Sequence, residues 1–209
     1  MIAVIDYGAG NIRSVENAFE RLGKSIVLTS DRDTILAADR IVLPGVGAFG
    51  DAMRKLNDKE LVPVIREAVL DRKIPFLGIC LGLQLLFEGS DESPGEEGLC
   101  LLPGRVKRFI PADGLKIPQI GWNNLLPPVP GGSSLRGRLL HGIPAGSFFY
   151  FVHSYCVPDN GEDFIAASCA YGIRFVAAAE KDNIFACQFH PEKSGETGLR
   201  ILENFIQLQ

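Results

Sequence analysis

The first half of the chain alternates short apolar runs with segments of helical periodicity, and this alternation constrains the fold more than any other feature. The apolar runs occupy residues 2–7, 25–30, 40–45 and 74–79. Helical spacing of apolar residues lies between them, at Ile12, Val15, Phe19 and Leu22. Residues 51–71 also read as helix, either continuous or with a break before Pro63. Strands that are apolar throughout are typical of a parallel sheet covered on both faces. We therefore predict a three-layer α/β fold with a central, mainly parallel sheet.

The second half has a different pattern. Short β-like runs separated by turn residues extend from Leu102 to Phe185, which predicts an additional antiparallel portion. A final helix is predicted over residues 197–209, and a further buried helix over residues 81–89, closed by Gly89. The length of 209 residues suits one core, so we expect residues 1–209 to form a single domain.

Composition narrows the classes of function. The net charge is −4 and the 21 basic residues are scattered, which argues against a nucleic-acid partner. No apolar run approaches the roughly 18 residues of a membrane span, and the first residues lack a basic signal-peptide region, so we expect a cytoplasmic location and no membrane partner. The five cysteines are odd in number and widely spaced, which argues against disulfides and zinc. We expect neither a metal nor a cofactor.

Cys80 is the first candidate for chemistry. It is the centre of the sequence Gly78-Ile79-Cys80-Leu81-Gly82, at a predicted change from strand to helix. This is the pattern of a nucleophile elbow, in which small residues let strand and helix pack closely around an exposed nucleophile. A helix N-terminus also favours a thiolate. The alternative is a buried cysteine with no chemical role, which the motif alone does not exclude.

A thiol nucleophile usually needs a base, and the chain has only three histidines to supply it. His141 precedes a turn and is most simply a surface residue, while His153 lies within a predicted strand. His190 ends an apolar strand that would deliver it to the same sheet edge as Cys80. Glu192 lies two residues further on and is suited to fix the imidazole tautomer. The alternative interpretation, in which residues 189–192 are only a strand end with a proline stop, has less support than this catalytic one.

The segment "PGVGAFG" admits three interpretations. Its glycines, Gly45, Gly47 and Gly50, fit the G-x-G-x-x-G pattern of a nucleotide loop. That interpretation needs an acidic residue at the end of the next strand, and Asp71, which has the right spacing, ends a predicted helix instead. A glycine loop after a strand also suits backbone N–H groups aimed at an oxyanion. The third interpretation is a plain turn.

The motifs "GICLGLQLLF" and "FHPEKS" together resemble the class I, or triad-type, glutamine amidotransferase family. The segments "VIDYGAGNIRSV", "LPGVGAFGDAM", "IGWNNL" and "GSFFYFVHSY" are similar to the glutaminase subunits of imidazole glycerol phosphate synthases, enzymes of histidine biosynthesis. The resemblance covers nearly the whole chain and implies a flavodoxin-like fold. One departure is at Gln119-Ile120, where many members carry His-Met.

The resemblance implies hydrolysis of the glutamine side-chain amide to glutamate and ammonia through a thioester on Cys80. His190 would transfer the protons and Glu192 would orient it. The oxyanion hole would combine the backbone N–H of Leu81 with that of Val46 or Gly47. The positions similar to the family's glutamine-binding groups are Gln84, Ser154 and Tyr155.

The resemblance also implies a partner, a cyclase subunit with a (β/α)₈ barrel, which would receive the ammonia in a heterodimer and allosterically activate the glutaminase. Asn11, Trp122 and Tyr150 resemble interface residues around the ammonia exit. Each also has a structural interpretation: Asn11 as a helix N-cap, Trp122 as a core aromatic and Tyr150 as a strand residue. Two other hypotheses remain open, a triad amidotransferase serving another pathway and a non-catalytic scaffold with a buried Cys80.

Overall fold

The computed structural model describes residues 1–111 and 114–208, and its centre is a seven-stranded sheet. Within those ranges the strands are β1 (Ile2–Ile5), β2 (Ile26–Thr29), β3 (Arg40–Gly45), β4 (Phe76–Cys80), β5 (Gly89–Ser90), β6 (Ser93–Glu97), β7 (Arg105–Arg108), β8 (Gln119–Asn124), β9 (Phe148–His153), β10 (Tyr155–Cys156), β11 (Ile165–Tyr171), β12 (Ile173–Lys181) and β13 (Ile184–Cys187). The central sheet has the order β11-β12-β13-β4-β3-β1-β2.

Five neighbouring strands of this sheet, β2, β1, β3, β4 and β13, are parallel, and the β11–β12 hairpin extends it in antiparallel fashion from β13. The first four follow the flavodoxin order, with β1 between β2 and β3. Sheets of this kind bind ligands beyond the carboxyl ends of their strands. The predicted α/β class, with its parallel centre and antiparallel portion, is confirmed.

The helices cover both faces of the sheet. They are α1 (Ile12–Arg21), α2 (Arg32–Leu36), α3 (Phe49–Asp58), α4 (Leu61–Arg66), α5 (Leu81–Gln84) and α6 (Gly195–Gln207). Alternate residues of β1 pack into two different apolar clusters, one on each face of the sheet. Ala3 and Ile5 belong to one cluster, and Ile2 and Val4 belong to the other. A strand that contributes to two cores must be apolar on both faces, which explains why β1 and β4 are buried along their whole length.

Two smaller sheets lie outside the central one. Strands β10, β7, β5 and β6 form one sheet, and the antiparallel pair β8–β9 forms the other. The β8–β9 pair joins Gln119 to His153 at one end and Asn124 to Phe148 at the other. These sheets account for much of the antiparallel portion that the sequence predicts.

Two predicted helices differ from those observed. The helix expected over residues 81–89 ends at Gln84, because the carbonyls of Leu85 and Leu86 accept hydrogen bonds from the N–H groups of Leu99 and Leu101, both at 2.8 Å, instead of continuing a helix. The helical segment over residues 51–71 breaks before Pro63, which is one of the two readings of the sequence, and the break lies at Glu60, whose φ of 55° is left-handed. A wide helical turn, Glu67–Asp71, follows α4.

The turn from β4 into α5 depends on its two glycines. A Cβ on Gly78 would lie 2.6 Å from the carbonyl oxygen of Gly82, and a Cβ on Gly82 would lie 1.9 Å from that of Leu43. Cys80 itself has φ 55° and ψ −105°, values that residues with a side chain rarely adopt. The predicted sharp strand-to-helix turn is therefore confirmed, and the glycines are there because β3, β4 and α5 approach so closely.

We expect Gly82→Ala to destabilise the fold by about 1–3 kcal/mol or more, because the added methyl group meets backbone atoms of β3 that have no room to move. Gly95→Ala is the matched control, since Gly95 is exposed and no atom beyond its chain neighbours lies within 4 Å of the place its methyl group would take. It should change stability by less than about 1 kcal/mol. Chemical denaturation of both variants measures the difference, and equal stabilities would contradict the steric argument.

Candidate active site

Cys80 lies at the carboxyl end of β4, between two neighbouring parallel strands. Gly45 of β3 is paired directly with Cys80, and Cys187 of β13 is paired with Ile79, one residue earlier. The thiol-bearing residue is 6% exposed. Whatever follows β3 and β13 in the sequence therefore lies next to this sulfur.

His190 follows β13, although not directly. The strand ends at Cys187, whereas the sequence predicts an extended run as far as His190. The backbone of His190 is held from β9 instead, because its N–H donates to the carbonyl of Tyr150 at 2.9 Å. Ser194 strengthens this junction: its hydroxyl donates to the carbonyl of His190 at 2.6 Å and accepts from the N–H of Tyr150 at 3.0 Å.

His190 and Glu192 form a buried pair. The ring Nδ1 lies 2.7 Å from Glu192 Oε1, and their side chains are 1% and 0% exposed. Burial alone would lower the pKa of His190, but the nearby Cys80 sulfur and the Glu192 carboxylate together raise it to about 9. Nε2 has no hydrogen-bond partner within the described residues, so it remains open to exchange a proton with a group in front of it.

Asn11 contacts the same carboxylate. Its Nδ2 donates to Glu192 Oε1 at 2.7 Å. Asn11 does occupy the N-cap position of α1, in a left-handed conformation, but its side chain makes no capping hydrogen bond and binds Glu192 instead. Glu192 is thus held from two sides, by His190 and by the segment that follows β1.

The loop after β3 lies beside Cys80 and is packed from behind. The hydroxyl of Tyr7 donates to the carbonyl of Pro44 at 3.1 Å. A Cβ on Gly45 would meet that hydroxyl at 2.4 Å and the Cβ of Leu81 at 3.0 Å. Gly47 has a φ of 104°, which is open to glycine and strained for other residues. Tight packing therefore explains Gly45, whereas Gly47 has open space around it and is explained by its backbone conformation alone.

The nucleotide-loop interpretation of the same segment finds no support in the geometry. Gly50, the third glycine of the motif, lies inside α3 and its N–H donates to the hydroxyl of Ser93 at 3.1 Å. Asp71 ends a helical turn on the surface, before β4 begins.

A cleft of about 300 Å³ opens above Cys80. All the residues predicted to bind glutamine or its oxyanion line it. The complete lining is Val46, Gly47, Cys80, Leu81, Gln84, Glu92, Pro118, Val152, His153, Ser154 and Tyr155. Sequence reasoning missed Glu92, which is outside every motif; its Oε2 accepts from the N–H of Phe49 at 2.8 Å.

Hydrogen bonds connect the cleft to the sulfur through two glutamines. Gln84 Nε2 donates to the carbonyl of Tyr155 at 2.9 Å and to Oε1 of Gln188 at 3.1 Å. Gln188 Nε2 in turn lies 3.7 Å from Cys80 Sγ. Gln188 was not predicted, although its place two residues before His190 was a signal that would have found it.

Neither His141 nor His153 is as well suited as His190 to act as the base. His141 is exposed, as predicted. His153 is buried among Phe109, Phe151 and Phe175, and its Nδ1 donates to the carbonyl of Tyr155 at 2.8 Å. Burial, opposed by the hydrogen bond to Tyr155 and assisted by the nearby His190, lowers the pKa of His153 to about 4. His153 lines the cleft and its Nε2 has no hydrogen-bond partner among the described residues, but a pKa this low makes it a weak base.

The β8–β9 pair carries an exposed apolar surface, which we define as Ile120, Trp122 and Phe148. These side chains are 63%, 56% and 58% exposed, so Trp122 is not a core aromatic. Tyr150 is half-buried beside Trp122, with ring centroids 6.3 Å apart. Gln119, the neighbour of Ile120 on β8, is buried and lies outside this surface.

In residues 1–111 and 114–208, no three or more His, Cys, Asp or Glu side chains are grouped so as to hold a metal ion. Over the same part of the chain, the helices are too short or too polar to cross a membrane.

Comparison with known proteins gives consistent matches. The model of the family described as glutamine amidotransferase class-I matches residues 3–208. "Imidazole glycerol phosphate synthase subunit HisH" of Moorella thermoacetica is 50% identical over 99% of this chain and 94% of its own length. The protein of the same name from Methanothermobacter thermautotrophicus is 51% identical over 100% of this chain and 98% of its own length.

Solved structures agree on the fold. One described as a glutamine amidotransferase has a TM-score of 0.75 at 16% identity, covering 99% of this chain and 97% of its own. The glutaminase domain of Trypanosoma brucei CTPS, solved with bound acivicin, has a TM-score of 0.65 at 18% identity, covering 100% and 94%.

The buried His153 should make stability depend on pH. Because its folded pKa of about 4 lies below the unfolded value of 6.5, the unfolded chain binds a proton that the native state does not. As the pH falls from 6.5 to 4, protonation of the unfolded chain should reduce the free energy of unfolding by up to about 1.4 kcal/mol per pH unit. His153→Gln should remove that slope, measured by denaturation at each pH. His141→Gln, at an exposed site, is the control and should keep it; parallel slopes in all three proteins would contradict the assignment.

Proposed function

Because the chain belongs to the class-I glutamine amidotransferase family, and within it to the imidazole glycerol phosphate synthase subunits, we propose that it is a glutaminase. It hydrolyses the side-chain amide of glutamine to glutamate and ammonia, and the ammonia feeds the cyclase subunit of the synthase in histidine biosynthesis. One observation carries this proposal above all: Cys80 lines the cleft, and the buried imidazole of His190, near the Cys80 sulfur, lies 2.7 Å from the carboxylate of Glu192.

The first chemical step is an attack by the Cys80 sulfur on the amide carbon of glutamine. A carbon–sulfur bond forms and the carbonyl becomes an oxyanion. With a pKa of about 9, His190 carries a proton at neutral pH and gives it from Nε2 to the departing nitrogen. The carbon–nitrogen bond breaks, ammonia leaves, and a glutamyl thioester remains on Cys80.

The second step regenerates the enzyme. His190, now neutral, takes a proton from water, which attacks the thioester carbon and releases glutamate and the Cys80 sulfur. Glu192 stabilises the imidazolium in both steps and keeps Nδ1 protonated, so Nε2 faces the reaction. Asn11, through its bond to the same oxygen, holds the carboxylate in place.

The oxyanion is stabilised by backbone N–H groups on both sides of the sulfur. Leu81 supplies the one at the start of α5, and Val46 or Gly47 supplies the one from the loop after β3. The pairing of Gly45 with Cys80 supports this role, because it brings that loop next to the nucleophile. One such donor is worth about 10²–10³ in rate. Activation by the partner acts on this loop, whose glycine at residue 47 lets a peptide plane rotate.

Glutamine binds between α5 and the segment that follows β9. Gln84 and the main chain of Ser154 and Tyr155 line the cleft and hold the amino-acid end of the substrate. The carboxylate of Glu92 also lines it and suits the α-ammonium group.

The partner is a cyclase subunit with a (β/α)₈ barrel, bound as a heterodimer. The Ile120–Trp122–Phe148 surface supports this, because exposed apolar side chains grouped on one hairpin are typical of a binding surface. Tyr150 packs against Trp122 and its main chain bonds His190, so this surface is continuous with the catalytic groups. Ammonia leaves past Asn11, Trp122 and Tyr150.

Residues 1–209 act as one glutaminase domain, which the match of the family model to residues 3–208 supports. We place the protein in the cytoplasm. All five cysteines are free, which suits a reducing compartment.

Replacing the nucleophile should separate the two activities of the synthase. Cys80→Ala in the complex with its cyclase should abolish synthesis from glutamine, because no thioester forms, and leave synthesis from ammonium salts intact. Cys100→Ala, at an exposed cysteine outside the cleft, is the control and should keep both. Product formation with each nitrogen source measures the result. Retained glutamine-dependent synthesis in Cys80→Ala would refute the mechanism and favour the scaffold hypothesis.

Truncating the hairpin aromatic should weaken partner binding. Trp122→Ala should raise the Kd for the cyclase by about 30-fold, or about 2 kcal/mol, because a tryptophan that becomes buried on binding is the kind of residue on which interfaces depend. Leu28→Ala, at another exposed apolar residue, on edge strand β2, is the control and should leave affinity unchanged. Titration calorimetry measures both, and equal affinities would place the interface elsewhere.

A further inference from the structure

Gln188 contacts the sulfur of Cys80, although no motif assigns it a role. It lies between the end of β13 and His190 and is completely buried. Its backbone N–H donates to the carbonyl of Ala177 at 2.9 Å, which fixes the residue to β12. From there its side-chain Nε2 reaches to 3.7 Å from Cys80 Sγ.

The orientation of the Gln188 amide is determined by Gln84. Oε1 of Gln188 accepts from Gln84 Nε2 at 3.1 Å, and the same nitrogen donates to the carbonyl of Tyr155 at 2.9 Å. Because the Tyr155 carbonyl is an acceptor, Gln84 must present its NH₂ group on this side. Rotating the Gln188 amide by 180° would place two NH₂ groups against each other. The N–H of Gln188 therefore faces the sulfur.

We infer that Gln188 is a further catalytic residue, whose amide N–H stabilises the thiolate of Cys80, and that Gln84 is the positioning residue that holds this amide in place. An N–H donor interacts more strongly with S⁻ than with S–H, so it favours the nucleophilic form. The inference rests on the proposed function, since it assigns a role in the same reaction.

The surroundings of the sulfur make such a donor necessary. Besides Gln188, the groups that face it are His190, Tyr7 and Cys187, with Glu192 behind His190. Burial raises the pKa of Tyr7 and of Cys187. The Glu192 carboxylate raises the pKa of Cys187 further, and the charge on Cys80 raises both, so neither group supplies a compensating charge. His190 is the cation in this group, and it must give up its proton during the reaction. Gln188 is the donor that stays in place throughout.

The test measures how readily Cys80 is alkylated as a function of pH, using iodoacetamide on the full chain and mass spectrometry to read each cysteine. Exposed Cys100 in the same molecule is the internal reference. In Gln188→Leu the pH midpoint for Cys80 should rise by about one unit or more, an effect of about tenfold at neutral pH. In Gln188→Glu, which replaces the donor by an acceptor against the sulfur, the pH midpoint for Cys80 should rise further. The midpoint for Cys100 should not move.

An unchanged Cys80 midpoint in both folded variants would overturn the inference, as would an equal shift at Cys100. Thermal unfolding identifies variants that do not fold. In that case Gln84→Leu, which frees the Gln188 amide to rotate, replaces them: a raised midpoint supports the inference and an unchanged one overturns it. Alkylation needs neither glutamine nor the cyclase, so this result is separate from the glutaminase assay that tests the proposed function.

Discussion

The close contact among β3, β4 and α5 is the constraint on which the rest of the site depends. A strand that turns into a helix at one residue requires an unusual backbone conformation at Cys80. It also requires residues without a side chain on either side of Cys80, because a Cβ there would clash with neighbouring backbone. Gly78 and Gly82 meet the second requirement. Once the sulfur is fixed at this point, the loop after β3 and the segment after β13 are its neighbours by the pairing of the strands alone. The geometry of the candidate site is therefore largely a property of the sheet.

Buried polar groups connect this framework to its surroundings. Glu192 Oε1 receives hydrogen bonds from His190 and Asn11, which come from opposite ends of the chain. Gln84 and Gln188 join the Tyr155 carbonyl to the sulfur in the same way. Because an unpaired polar group is costly in such an interior, each of these side chains has one favourable orientation. The result is a site whose groups are held before substrate arrives.

The sequence predicts those parts of the structure that local patterns control. The apolar runs indicate β1 and β4, and the spacing of glycines around Cys80 indicates the turn, because both depend on neighbours in the chain. The predicted length of α5 is wrong, since residues 98–102 compete for its carbonyls and lie too far along the chain to be seen. The sequence predicts a cap or an interface role for Asn11 and misses its contact with Glu192 for a similar reason, because Glu192 lies 181 positions away. Trp122 and Gln188 likewise acquire their surroundings only when the sheets assemble.

The strand order also has a consequence for synthesis on the ribosome. Strand β4 lies between β3 and β13, and β13 is the last strand to be made, about a hundred residues after β4. Until residues 184–187 emerge, one edge of a wholly apolar strand has no partner, and the nascent chain carries its nucleophile without its base. Unpaired apolar edges are prone to aggregation, so the nascent chain is exposed to that risk throughout this interval. It also means that a chain cut short before β13 carries the Cys80 thiol but no means of using it.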